Sequence, residues 1–557
     1  MEKPRKLKIS NQAEGAAGAC AVISSLAHLY SYTGVARGLK ILGKMNQKQG
    51  FDCPGCAWPD PDQERSSLGE YCENGAKAIA EECTTRRVTD RLFAQTTLTE
   101  LQKKSDFWLG KQGRITKPYF KGKNQQNYQP ISWDAAFKLI GQKLRETSAK
   151  RALFYTSGRA SNEAAYSYQL MVRMHGSNNL PDCSNLCHES SGAALTKSIG
   201  IGKGTVTLDD FQKAAVILIV GQNPGTNHPR MLSSLREAAL GGAHIVSINP
   251  LKEAGLMEFK HPQKIKDLLS KGVPIAKNFL QVHINGDMAL FRGLSKALVQ
   301  HHPEAISSDF INNKTLGFEN YKRILLDQTP WEEVVSLSGI EKESILALAN
   351  KIAAGGSLIT CWAMGLTQHK NAVDTICEIS NLHLLGGYIG RPGSGLCPVR
   401  GHSNVQGDRT MGIWERPPPD FLSRLGNYFD FEPPKEHGYD VVNGIQAMET
   451  GAIDIFIALG GNLVAAGPDT ETIQAAMQQT SLTVQISTKL NKSHFYCGEE
   501  ALILPCLARS EKDRTGGKEQ YVTVENSMGI VHKSRGQIKP AAKMLKSEVD
   551  IICEIAA

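Results

Sequence analysis

The sequence predicts an α/β protein of several domains, built on parallel sheets with helices on both faces, with a small irregular region near the N-terminus. Three observations carry that expectation. Short apolar runs are followed by turns of Gly, Asn, Ser and Pro and then by amphipathic stretches of about 10–15 residues. The length of 557 residues suits roughly three or four structural units of about 100–200 residues each. Residues 50–125 break the rhythm, being rich in Pro, Cys and charge and weak in periodicity.

Taken in chain order, strand–turn–helix units are expected at 151–176, 214–242, 356–387 and 452–477, with AHIVSINP, LTVQIST and ALILPC as further strands. Strands that alternate with helices imply right-handed crossovers and a parallel sheet. Ligands of such sheets bind at the carboxyl ends of strands. The turns SGRASN (157–162), GQNPGTNH (221–228), INP (248–250), AMGLTQH (363–369) and GGN (460–462) are therefore the places to look. The expected domains are 1–125, then 126–185 together with 388–557, and 186–387 as a dinucleotide-binding-like unit. The stretch 388–440 is loop-rich and dense in Gly, Pro and Arg.

Composition narrows the class. With 41% hydrophobic and 21% charged residues, 52 Gly and 24 Pro, the chain is an ordinary globular one rather than disordered or collagen-like. Sixty-three basic residues face 55 acidic ones, a net charge of +8. Apart from KPRKLK at the start they are scattered, which argues against nucleic acid and suits an anionic substrate or cofactor. Thirteen Cys, unevenly spaced, point to a reducing compartment where thiols serve metals or catalysis. No apolar run approaches the ~18 residues of a membrane span. AAGACAVISSLAHLY (16–30) follows the basic start across a polar gap, SNQAEG, and reads as an amphipathic helix rather than a signal peptide. A cytoplasmic protein is expected.

Four motifs could carry chemistry. Cys53-Pro54-Gly55-Cys56 places two thiols on one turn, and Cys72 follows after fifteen intervening residues. Zinc, an iron–sulfur cluster or a redox dithiol all suit that pattern. Asp60 is the nearest candidate for a missing ligand, and Cys83 is spare. Asp182-Cys183-Ser184-Asn185-Leu186-Cys187-His188 sets a thiol beside a base, as a cysteine hydrolase or a metal site would need. Gly200-Ile201-Gly202-Lys203-Gly204-Thr205 fails the phosphate-loop pattern, because Gly204 separates Lys203 from Thr205. The run from Pro398 to Asp408 packs Arg400, His402, Asn404, Gln406 and Asp408 into eleven residues. There Arg400 could hold a carboxylate or phosphate with two hydrogen bonds.

Together these motifs resemble the molybdopterin oxidoreductase family, most closely its formate dehydrogenase-like branch and the YdeP-type oxidoreductase alpha subunits within it. The match runs in order from GFDCPGCAWPDP and CENGAKAIA through YTSGRASNEAA, NLPDCSNLCHESSG, GQNPGTNHPRM, MGLTQH, GRPGSGLCPVRGHSNVQGDRTMG and ILPCLARSE to SRGQIKPAAKMLKSE.

The resemblance implies domains like the first three of formate dehydrogenase and DMSO reductase. It implies two molybdopterin guanine dinucleotides on one molybdenum or tungsten, with Cys187 as the protein ligand. His188 then corresponds to the proton-accepting His, and Arg400 to the Arg that orients a small anion such as formate. Cys53, Cys56 and Cys72 correspond to three ligands of a [4Fe-4S] cluster that passes electrons to a partner. Gly221, Asn223, His228, Gly365, Gln368, Asn404, Gln406, Gly460 and Asn462 would hold the pterins and guanines. A soft thiolate suits the metal, and backbone amides with an Arg offset pyrophosphate charge. Against the family pattern, one cluster thiolate is lacking, and Asn74 stands where formate dehydrogenases carry an electron-relaying Lys; Lys77 lies one helical turn on. Family members also continue into a C-terminal barrel-like domain. On this resemblance the alternative expectation is a truncated remnant, inactive or completed by a second chain.

Overall fold

The computed structural model describes residues 13–269 and 271–557. The basic opening, KPRKLK, lies outside the described residues. The chain divides into two compact units, one comprising the segment up to Ser24 with Ser190–Val399, the other Ser25–Glu189 with Arg400–Ala557.

The first unit is organised by a five-stranded sheet in the order Gly395–Pro398, Leu358–Trp362, Val216–Val220, His244–Ile248, Asn278–Leu280. Every pairing in it is parallel. The central strand reads VILIV with all five residues buried, the unbroken apolar run of a sheet covered on both faces. Val216, Leu218 and Val220 share one core with Leu290, Phe291, Leu294, Ala297 and Leu298 of the helix Asp287–His301. Those helix positions recur at the spacing of one helical face. Ile217 and Ile219, on the opposite face, are just as buried. Behind the sheet, His383 accepts or donates at both ring nitrogens, 2.8 Å from Thr360 Oγ1 and 3.2 Å from the Tyr388 carbonyl.

The second unit carries a six-stranded sheet in the order Gln129–Pro130, Tyr119–Lys121, Glu500–Pro505, Leu482–Ser487, Ile455–Leu459, Ala152–Thr156. The last four strands are parallel and the first two antiparallel. Side-chain parity assigns its faces. Phe154, Ile455, Ile457 and Leu459 pack with the helices Trp133–Glu146, Asn162–Met174 and Glu548–Ala556. Leu153, Tyr155, Phe456 and Ala458 pack with Val441–Glu449 and Thr470–Gln478. The fold class read from the sequence is thus the one observed: mixed α/β, with parallel sheets between helices.

The stretch that lacks periodicity contains short helices, among them Glu73–Glu82, Asp90–Gln95, Leu98–Gln102 and Asp106–Gly110. Ser and Thr caps start several of them, Thr97 as a full capping box with Glu100. The helix expected within 16–30 forms as Gly18–Thr33. Among the described residues, no helix is long and apolar enough to cross a membrane.

Candidate active site

Every residue singled out in the turns follows the carboxyl end of a strand. In the second unit, Cys187 ends the short helix Cys183–Cys187. Its thiol is buried, and burial pushes its pKa up, while the Gly401 amide and the Arg400 guanidinium pull it back down. A Cβ on Gly401 would stand 3.3 Å from Cys187 Sγ, so a glycine lets the backbone reach the sulfur. Arg400 is 5% exposed; its Nη1 donates to the His188 carbonyl at 3.3 Å and its amide to Ser527 Oγ at 2.9 Å. Burial lowers the pKa of that guanidinium and Cys187 opposes the shift. The structure therefore brings Cys187, His188 and Arg400 together.

Around this trio lies a charged network whose central residue, Arg409, the sequence reading did not single out. Arg409 reaches Asp182 at 2.8 Å, Glu189 at 2.7 Å and Glu415 at 3.4 Å. Asp182 is fully buried, and its carboxyl is pushed up by burial with Arg409 opposing. Asp408 is equally buried; burial and the Asp182 charge raise its pKa well above the usual range, and its Oδ2 has no hydrogen-bond partner. Cys183 Sγ lies 3.5 Å from His402 Nδ1. That pair requires Gly158, where a Cβ would fall 2.6 Å from the Cys183 sulfur.

Asn404 and Gln406 are tied into the scaffold. Asn404 donates to the Ala160 carbonyl and Asn162 and accepts from the Glu525 amide. Gln406 Nε2 donates to Glu525 and the Asn526 carbonyl, leaving a buried Oε1 without a partner. Beyond the strand Ile455–Leu459, Gly460 and Gly461 adopt positive φ, and Asn462 bridges Asp106 to Ser493.

In the first unit, Gly221 and Gly365 meet directly: the Gly365 amide donates to the Gly221 carbonyl at 3.0 Å. A Cβ on Gly365 would fall 2.4 Å from that oxygen, so neither turn tolerates a side chain at this crossing. Asn223 caps the turn that follows and donates to Glu253. His228 Nδ1 lies 3.4 Å from Gln222 Nε2, and Gln368 donates to Thr367 Oγ1.

The cysteine turn belongs to the second unit. The Cys53 amide donates to Asn46 Oδ1 at 2.8 Å, and Cys72 Sγ accepts from the Gly75 amide at the start of the helix Glu73–Glu82. A Cβ on Gly75 would lie 3.1 Å from Cys53 Sγ and 3.7 Å from Cys72 Sγ. Burial, then the Cys72, Cys56 and Asp52 charges, push the Cys53 thiol well up. Asp60 is buried and 3.4 Å from Arg65, and Lys77 is engaged by Glu73 at 2.6 Å. Among the described residues, no group of three or more His, Cys, Asp or Glu is arranged to hold a single metal ion.

The network partners were hidden by distance along the chain. Asp182 and Arg409 are 227 positions apart, and Cys183 and His402 are 219 apart. His402 carried a signal, its place in the polar run 398–408; Cys183 had only its spacing to Cys187.

Comparison with known proteins gives a consistent picture. The family model "Molybdopterin oxidoreductase" matches residues 114–557. An oxidoreductase of Mycobacterium bovis is 51% identical over 97% of this chain and 70% of its own length. The protein YdeP of Escherichia coli K12 is 43% identical over 98% of this chain and 73% of its own. The F420-dependent formate dehydrogenase subunit alpha of Methanocaldococcus jannaschii is 26% identical over 79% of this chain and 61% of its own. Acetylene hydratase from Pelobacter acetylenicus shares the fold, with a TM-score of 0.61 at 16% identity over 82% of this chain and 62% of the other.

Proposed function

Because the chain belongs to the molybdopterin oxidoreductase family, we propose that it is a formate dehydrogenase-like enzyme. In this reading it oxidises formate or a similarly small anion by two electrons at a molybdenum held by two molybdopterin guanine dinucleotides. The observation that carries it is the Cys187 thiol, set between the Gly401 amide and the buried Arg400 guanidinium, with His188 next in sequence.

The residues present suit such groups. Cys187 offers a soft thiolate at a backbone cradle that a Cβ on Gly401 would crowd. The Gly221–Gly365 crossing and the positive-φ turn at Gly460 lack side chains, so backbone can approach a ligand closely there. Asn223, His228 and Gln368 follow strand ends in the first unit, Asn462 follows one in the second, and Asn404 and Gln406 stand at the start of the helix Val405–Thr410. For the cysteine turn, a zinc ion with bonds of about 2.3 Å would need its thiols drawn to one point. By the family resemblance, Cys53, Cys56 and Cys72 are the residues that would hold an iron–sulfur cluster.

When bound, the metal–pterin group supplies a two-electron sink and the cluster a one-electron outlet to a partner protein. The chain's own residues do the rest. Arg400 orients the anion through a planar, charged fork that the His188 carbonyl holds, while Ser527 holds the Arg400 backbone amide. Formate becoming carbon dioxide releases two electrons and one proton, and His188 takes the proton. Burial raises the pKa of the Cys187 thiol, and the Gly401 amide and Arg400 oppose that rise. Thirteen cysteines without a disulfide among them support a reducing, cytoplasmic setting.

Elemental analysis of anaerobically purified protein tests the reading. We expect about one molybdenum or tungsten and about four irons per chain. Cys187→Ala should keep the iron and lose formate oxidation with a viologen acceptor, whereas Cys53→Ala should lose the iron. Wild-type protein with neither metal overturns the proposal.

A further inference from the structure

Cys187 and His188 sit on a support too short to hold itself. The helix Cys183–Cys187 has five residues, far below the ~12–15 at which an isolated helix begins to persist. Its place is therefore set by contacts from outside. The chain from Arg400 onward supplies them. Ser184 Oγ donates to the Val405 carbonyl at 3.2 Å, and Arg400 Nη1 donates to the His188 carbonyl. Arg409, on the helix Val405–Thr410, makes the strongest contacts. Its Nη2 donates to Asp182 Oδ1 at 2.8 Å and to Glu189 Oε2 at 2.7 Å, and its Nε to Asp182 Oδ2 at 3.3 Å. Asp182 immediately precedes the short helix and Glu189 immediately follows His188, so one guanidinium grips both ends of the segment.

The grip is directional. Two hydrogen bonds to Asp182, whose side chain is fully buried, form the paired geometry that a planar guanidinium makes and an ammonium cannot. Asn185 ties the segment from within: the Asp182 amide donates to its Oδ1 at 3.2 Å, and its Nδ2 donates to Glu189 at 3.2 Å. Glu415 also approaches Arg409, at 3.4 Å. Three carboxylates thus share one cation. Without it, Asp182 must either repel Glu189, in surroundings where burial limits screening, or take up a proton. In both cases the hold on the segment is lost.

We propose that Arg409 is a positioning residue: by clamping Asp182 and Glu189 to the helix Val405–Thr410, it fixes Cys187 and His188 against Arg400 and sets how well thiol and imidazole are aligned for the reaction. This rests on the proposed roles of Cys187, His188 and Arg400. One short stretch of chain carries both arginines, Arg400 toward the anion and Arg409 toward the segment that bears the thiol and the base. The spacing between anion and base is thereby tied to a single piece of backbone.

The test combines amide hydrogen exchange with kinetics on the anaerobically purified full chain. Arg409→Met should speed exchange across 183–188 about tenfold, with the strands Ile455–Leu459 and Leu482–Ser487 unchanged. Formate turnover per bound molybdenum or tungsten should fall about tenfold, at a nearly unchanged KM for formate. A merely structural role would lower the metal content and leave turnover per metal intact. Arg409→Lys, which keeps the charge but not the paired bonds, should recover part of both changes. If Arg409→Met does not fold, Glu189→Ala, which removes only the half-exposed arm of the clamp, should show the same two changes at smaller size. Exchange at 183–188 as in the wild type, or unaltered turnover per metal, overturns the inference alone. Wild-type protein that holds neither metal, or oxidises no formate, overturns the proposed function and the inference with it.

Discussion

His383 shows how one buried side chain imposes a pH limit. Burial lowers its pKa to about 4 from the usual 6.5, since a charged imidazole would lose its hydration behind the sheet. The folded state therefore holds fewer protons on this group than the unfolded chain does between those values. Its contribution to stability is intact above about pH 6.5 and is lost as pH falls toward 4, on the order of 3 kcal/mol when complete. Urea unfolding at pH 7 and pH 5 checks this. The wild type should lose stability over that interval, and His383→Gln should show a shallower dependence. A slope unchanged by the substitution would exclude His383 as its source. The residues of the site divide in legibility at the same scale. Cys187, His188 and Arg400 were legible because they sit in the motifs NLPDCSNLCHESSG and GRPGSGLCPVRGHSNVQGDRTMG that carry the family resemblance. Arg409 and Arg509 look like any solvated Arg, since their acceptors, Asp182 and Asp52, are contributed by distant segments.

Elements declare themselves when burial is uniform. The strands VILIV and IFIAL are apolar throughout because both faces are covered, and that signal is visible in the sequence. Helices of five or six residues, such as Leu98–Gln102, are too short to repeat an apolar face, so residues 50–125 gave no period to read. What holds that stretch to the sheet is partly ionic. Arg114 and Glu511 are each 1% exposed at the side chain and 2.9 Å apart. Arg114 also donates to the carbonyls of Cys506, Thr488 and Glu82. Glu511→Gln leaves a buried cation without its anion and is expected to cost about 3–5 kcal/mol. The double variant Arg114→Met, Glu511→Leu should cost less than Arg114→Met and Glu511→Leu summed, as chemical denaturation of these three variants and the wild type would reveal. Additive losses would mean the pair is not coupled.

For the whole molecule, the two units have separate cores, one around Leu218 and Leu294, the other around Ile457 and Leu502. Leu294→Ala and Leu502→Ala should each cost about 2–5 kcal/mol. Scanning calorimetry is expected to show a different transition lowered in each case, and a single shared transition falling equally would contradict that division. The alternation of strands and helices made the α/β class plain, but the contacts that close the second unit are not, because its segments are separated by the whole of the first. That interruption has a consequence in time. Arg400 follows His188 by 212 positions, and ribosomes add about 5–20 residues per second. For roughly 10–40 s of each synthesis, the newly made Cys187 thiol waits without its guanidinium neighbour, so the site is completed late, after its sulfur has already met the cell.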